Sequence, residues 1–176
     1  MPEDRSRHRS LIANLEHLAE GNDRAALAAL RASLRERHAL EALRYVLPFL
    51  GKDAGRRAED DACLVAGLFA LHPESGSLTL ASALRRVREG GSDSTEARFL
   101  GLLSANRADL PTHLRHAIAL VAGKKLALDW DDLFTAIRFW DHDDDFVRRR
   151  WAADFWAGGQ PEAEAPTDEA MSPKAS

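Results

Sequence analysis

The sequence predicts an all-α protein: a single compact domain of about nine helices packed as a bundle, followed by a disordered C-terminal tail. Three observations carry this expectation. Leu, Ala and Arg dominate the 176 residues while Ile, Tyr and Thr are scarce, so helix formers abound and β-branched strand material is thin. Apolar residues recur at helical spacing from end to end. Gly, Pro and capping residues divide the chain into segments of helix length. An apolar share of 45% and a charged share of 30% suit a folded domain.

The elements follow in order. Ser10 is placed to cap "LIANLEHLAE", which Gly21 closes, and Asn22 to cap "DRAALAALRASLRER", where Leu27, Leu30 and Leu34 share a face. "ALEALRYVLPFLG" contains Pro48, so its helix should stop near Val46. "RRAEDDACLVAGLFALHP" changes from polar to almost wholly apolar before Pro73, as a helix entering the centre of the domain would. "PESGS" reads as a turn, with Ser77 as the cap of "LTLASALRRVREGG" and Gly90 and Gly91 ending it in left-handed conformations. Ser92 or Asp93 should open the next helix, with Glu96 in capping-box register.

Pro111 fits the first turn of the following helix. Asp129 should cap "WDDLFTAIRFWD", burying Leu133, Phe134, Ile137 and Trp140. The last helix, "DDDFVRRRWAADFWAGG", begins with acids and carries its arginines later, as the macrodipole favours. No convincing strand is evident. Residues 1–8 read as a flexible N-terminus, 9–158 as the helical domain, and 159–176 as a disordered acidic tail with almost nothing to bury.

The composition excludes several function classes. The opening "MPEDRSRHRS" has no apolar core, and no apolar run approaches the ~20 residues of a membrane span. A lone cysteine, Cys63, sits among aliphatic neighbours that should raise its pKa. The expected location is the cytoplasm, with no membrane partner. "DHDDD" (141–145) lacks the glycine and glutamate of a calcium loop, and no zinc-ligand spacing occurs. Seven scattered histidines, no phosphate loop and no nucleophile elbow leave no recognisable catalytic site. No metal, no cofactor and no enzymatic activity are expected.

Charge is segregated beneath a net value of −4. From 126 to 157, eight aspartates face Arg138, Arg148, Arg149 and Arg150. From 84 to 125, Arg85, Arg86, Arg88, Arg98, Arg107, Arg115, Lys124 and Lys125 oppose only Glu89, Asp93, Glu96 and Asp109. Local fields matter more than the total for steering a polyanion. At roughly 100° per residue, Phe99, Leu102, Leu103 and Asn106 share one side, with Arg98 at its edge. Leu110, Leu114, Ile118 and Val121 share the next helix's buried side, with Arg115 again at the edge. Arg107 stands at the turn between them. Such arginines serve as solubilising charges or as phosphate ligands, whose oxygens their planar forks bond bidentately. The triplet Arg148–Arg150 cannot share a face, and one of its members should lie along Trp151 or Phe155. Trp130, Trp140, Trp151 and Trp156, with four phenylalanines, should build core or dock a protein.

The segments "RYVLPFL" (44–50), "DACLVAGLFALHP" (61–73), "LASALRRVREG" (80–90), "ARFLGLLSANRADLPTHLRHAIALV" (97–121) and "RRRWAADFWAG" (148–158) together resemble the CasB family. This is the small subunit of the type I-E CRISPR surveillance complex, Cascade. The resemblance spans roughly residues 9 to 158, and its most specific part is the arginine–leucine pattern from Arg98 to Arg115. It implies an all-helical, non-enzymatic subunit that pairs as a homodimer beside the guide-RNA backbone assembly and the large subunit. Its basic surface would steady the R-loop, contacting the guide RNA–target DNA duplex and the displaced DNA strand. The residues matching the family's basic pattern are Arg44, Arg98, Arg107 and Arg115, with Arg138. Charge position alone adds Arg85, Arg86 and Lys125. Removing Arg98, Arg107 and Arg115 should weaken R-loop formation while leaving the fold intact. The competing readings are a helical protein–protein adaptor without nucleic-acid contact and, less well supported, a helix-turn-helix regulator, for which no base-reading helix is evident.

Overall fold

The computed structural model describes residues 2–35, 40–91 and 94–157, leaving out the side chains of 2–5. Nine α-helices run through these residues: α1 (Pro2–Glu20), α2 (Arg24–Ala32), α3 (Leu40–Val46), α4 (Arg56–Leu71), α5 (Leu80–Glu89), α6 (Ser94–Leu103), α7 (Leu110–Gly123), α8 (Trp130–Arg138) and α9 (Phe146–Ala152). A 3-10 turn (Leu47–Phe49) follows α3, and a π-turn (Ala153–Ala157) follows α9. The expected tail (159–176) and the expected opening of α6 at Ser92 or Asp93 lie outside the described residues.

α4 is the axis of the bundle, as its apolar second half predicts. It packs against α1, α2, α3, α7 and α8, which explains why Val65 to Ala70 are buried without interruption. One apolar cluster links every helix from α1 to α9. Pro48 cannot donate into a continuing helix, so α3 ends at Val46 and the chain tightens into the 3-10 turn. Asp129 caps α8 by accepting the amide of Asp132 at 2.9 Å. Pro111 sits in the first turn of α7.

Four local expectations are corrected. α1 begins at Pro2, so Ser10 lies inside it and its hydroxyl donates to the Ser6 carbonyl at 2.9 Å. Asp23, not Asn22, caps α2, accepting from the Ala26 amide at 3.0 Å. Asn22 instead takes a left-handed φ of 50°, reversing the chain. Of Gly90 and Gly91 only the latter is left-handed, with φ 93°.

The fourth correction concerns "PESGS". Thr79 caps α5 by accepting from the Ser82 amide, while Ser75–Leu78 form a short extended segment, β1. It pairs with Leu128, which donates to the Glu74 carbonyl at 2.9 Å, and Asp129 donates to the Leu78 carbonyl at 2.8 Å. Backbone near a buried Leu128 needs partners, and the passing chain supplies them. Gly76 permits the approach, since a Cβ there would stand 2.7 Å from that of Ala127.

The aromatics divide. Trp130, Trp140, Trp151, Phe134 and Phe155 are core, each contributing about 2–3 kcal/mol by transfer from water. Trp130 meets Phe69, Trp140 meets Trp151, and Phe99 stacks on Phe155 at 4.0 Å. Phe139, Phe146 and Trp156 remain more than 40% exposed. No described helix is long and apolar enough to cross a membrane.

Candidate nucleic-acid interface

The turn between α6 and α7 is fixed from three directions. The Asn106 side chain accepts the amides of Ala108 and Asp109 at 2.8 and 3.0 Å and donates to the Asp109 carboxylate. Just before it, the Ala105 carbonyl accepts the Trp140 indole N–H at 2.9 Å and an Arg148 N–H at 3.2 Å. Arg148 lies over the ring of Trp140, not Trp151 or Phe155 as expected, because Ala105 draws its guanidinium there. Arg107 then turns inward. Its terminal nitrogens donate to the Asp61 carboxylate and to the Ile137 carbonyl.

Asp61 is only 4% exposed, and a carboxylate so buried requires a paired cation. Burial lowers the Arg107 pKa first, and the nearby Arg57 lowers it further, against Asp141 and Asp60. This corrects the expectation that Arg107 can be removed without cost to the fold: its guanidinium tethers the turn to α4 and α8.

Arg98 and Arg115 differ. Neither has an ion-pair or hydrogen-bond partner among the described residues. Glu96, the one acid near Arg98, is engaged elsewhere: it accepts the Trp156 indole at 3.0 Å and lies 3.7 Å from Arg88, whose guanidinium covers Phe155. Arg98 is exposed and borders a groove of about 360 Å³ between α6, α7 and Leu84 of α5. The α7 residues lining that groove include His113 and His116, not Arg115. At 100° per residue Arg115 falls on the opposite flank of α7 from the midpoint of those linings. Arg98 therefore borders the groove between the two helices, whereas Arg115 stands on the side of α7 away from it.

The remaining candidates are dispersed. Arg86 and Lys125 are exposed without a partner among the described residues, and Lys125 takes a left-handed φ of 53° just after α7. Arg85 is half-buried beside Glu89 at 3.8 Å. Arg44 rests over the ring of Tyr45 on α3, whose main contacts are with α2 and α4, so it stands apart from the α5–α7 group. Arg138, at the end of α8, donates to Nε2 of His8 at 3.1 Å.

Two further groups escape a count of arginines. His113 and His116 are three apart on α7, a spacing that placed them on one face without saying what they faced. Arg7, Lys52 and Arg57 come from distant segments and meet only in the fold. Arg149 is exposed, whereas Arg150 pairs with Asp132 at 2.8 Å and Arg148 with Asp145. The basic triplet is thus largely neutralised by the aspartates that precede it.

Comparison with known proteins agrees with this architecture. The family model for CRISPR-associated protein Cse2 matches residues 26–156. A CRISPR-associated protein Cse2 of Thermus thermophilus is 39% identical over 126 residues, covering 70% of this chain and 72% of its own. The crystal structure of CasB from Thermus thermophilus superposes with a TM-score of 0.75 at 32% identity, over 85% of this chain and 97% of that one. A chain of a CRISPR RNA-guided surveillance complex shares the fold, with a TM-score of 0.72 at 23% identity over 88% and 93% of the two chains. The chain belongs to the Cse2 family of CRISPR-associated proteins.

Proposed function

We propose that this chain is the non-catalytic small subunit of a type I-E Cascade complex, where it steadies the R-loop by holding nucleic-acid backbone. The observation that carries the reading is the pair of arginines, Arg98 on α6 and Arg115 on α7, with no protein partner of their own among the described residues. Arg86 and Lys125, exposed on α5 and just after α7, are further backbone contacts in this reading, as is the half-buried Arg85. Arg44 and Arg138 are separate contacts. Arg107 acts at one remove, by fixing the turn that joins the two helices.

The division of labour is physically sound. Guide–target pairing reads sequence, and strand exchange is so nearly balanced that modest backbone contacts tip it. Backbone contacts need guanidinium forks, not base-reading geometry. The duplex of guide RNA and target DNA and the displaced strand are the polyanions within reach of such a subunit. The family likeness supports a homodimer docked on the backbone and large subunits.

The test is R-loop formation by the assembled complex at stated salt, with Arg98→Ala and Arg115→Ala combined. Weaker target binding with a shallower salt dependence is expected. Unchanged binding would remove these residues from the interface. The exposed Phe139, Phe146 and Trp156 favour the adaptor reading as a second possibility. Under it, Phe146→Ala would abolish co-purification with the other subunits while the arginine variants changed nothing.

A further inference from the structure

A second cleft, of about 790 Å³, opens between α1, the 49–58 segment and the end of α8. It shares no lining residue with the α6–α7 groove. Its volume falls in the range that holds a small organic ligand. Four cations line it, Arg7, Lys52, Arg57 and Arg138, against two carboxylates, Asp53 and Asp61. Asp61 is already paired with Arg107, and Arg57 shares its charge with Asp141 at 3.0 Å.

The other lining is flat and apolar. Phe134 carries the His8 ring stacked on it at 4.0 Å and 24°, and Phe139 stands half-open at the edge. Arg138 lies 5.9 Å from the Phe139 centroid while donating to His8, so a guanidinium, an imidazole and the Phe139 ring form one shelf, with Phe134 buried beneath His8. Opposite, the Arg7 guanidinium lies against Gly51, where any Cβ would collide with it. A side chain at 51 would push the guanidinium aside.

We propose that this cleft accepts one unstacked nucleotide of a single strand, its base against the aromatic shelf and its phosphates on Arg7, Lys52 and Arg57. A bare phosphate would have no use for the aromatic wall, and an apolar peptide would have none for the cations. Aromatic and guanidinium planes take splayed bases irrespective of sequence. The three cations are exposed at the rim, so phosphates on both sides of the base find a partner, which suits a strand better than a free nucleotide. Only Arg138 is common to this site and the interface proposed above, and the two are separable.

The test uses the full chain with two fluorescent strands of equal length, oligothymidylate and its abasic counterpart, alongside thymidine 5′-monophosphate. Oligothymidylate should bind at least about fivefold tighter than the abasic strand. The substitution Phe139→Ala, at an exposed position, should erase that preference and leave abasic binding within about twofold, since it removes a base contact and no phosphate contact. Arg98→Ala with Arg115→Ala should weaken both strands in parallel and keep the preference. Equal affinity of the unaltered protein for the two strands overturns the cleft while leaving the backbone interface standing. So does a preference that survives Phe139→Ala, or binding of the monophosphate with no preference between strands.

Discussion

The flanks of α6 and α7 and the turn that joins them use the same residue type to opposite ends. Arg98 and Arg115 reach outward with no partner among the described residues, whereas Arg107, between them in sequence, is turned inward onto Asp61 and Ile137. The difference is not written in their neighbours, for no acid stands three or four residues from any of them. It is set by what lies across the fold. A charge already neutralised inside the molecule holds the molecule together, and one left without a counter-ion is available to something else.

The sharpest way to break this comparison is Arg107→Ala. It strands a buried carboxylate, at a cost of about 3 kcal/mol, and thermal denaturation should show a fall in Tm of about 6–12 °C. Adding Asp61→Asn removes the stranded charge and should recover at least half of the loss. If Arg107→Ala melts like the unaltered protein, the inward guanidinium does not hold the turn. Arg98→Ala and Arg115→Ala should leave Tm unchanged.

Those outward residues should show themselves instead in binding. The pair of alanines is expected to cost roughly tenfold in target affinity, equivalent to about 1.4 kcal/mol. Each lost phosphate contact should reduce the slope of log K against log salt by about 0.7–0.9. An affinity loss without a change of slope would mean that the arginines act through shape, not charge.

A smaller effect is expected from Asp132. Burial raises its carboxyl pKa, and Arg150 only partly offsets this. The folded state then holds its proton more tightly than the unfolded chain, so this contribution to stability is present at low pH and lost as pH rises through the carboxylate range. Relative to Asp132→Asn, the unaltered protein should lose stability as pH rises above the ordinary aspartate pKa of about 4. A Tm difference that stays flat over that rise would sink this assignment.

The smallest signal is chemical. The Cys63 thiol is pushed up to about 11, by burial first and then by Asp60 and Glu59. Alkylation at pH 8 should therefore be slow, with about one thiol in a thousand ionised. Cys63 lies on α4 close to Asp61, so Arg107→Ala should accelerate its labelling, and Arg98→Ala should not. Equal rates in both variants would mean that the turn does not clamp α4.

Helix identity was legible in the sequence because propensity and apolar spacing act locally. The central place of α4, the stop at Val46 and the cap at Asp129 all followed from a few adjacent residues. Contacts between distant segments were not legible. β1 exists because Leu128 passes Glu74 and Leu78, and no local pattern announces that. The inward turn of Arg107 and the meeting of Arg7 with Gly51 have the same origin. The wheel put Arg98 and Arg115 at stripe edges, and both avoid the core. Only packing revealed that Arg98 borders the groove between the helices and that Arg115 does not.

The pairing of β1 with Leu128 also bears on how this fold could diversify. Two backbone hydrogen bonds, Leu128 to Glu74 and Asp129 to Leu78, close the neck of a loop of about fifty residues that contains α5, α6 and α7. Closing such a loop costs on the order of 3.5 kcal/mol in chain entropy, and the cost grows only with the logarithm of its length. The chain enters and leaves this segment at nearly the same point, while α5, α6 and α7 remain packed in the common core. The segment bearing Arg85, Arg86, Arg98, Arg115 and Lys125 is thus a cassette pinned at its base. Its outer faces can be recharged without rerouting the helices on either side, because those faces take no part in the core.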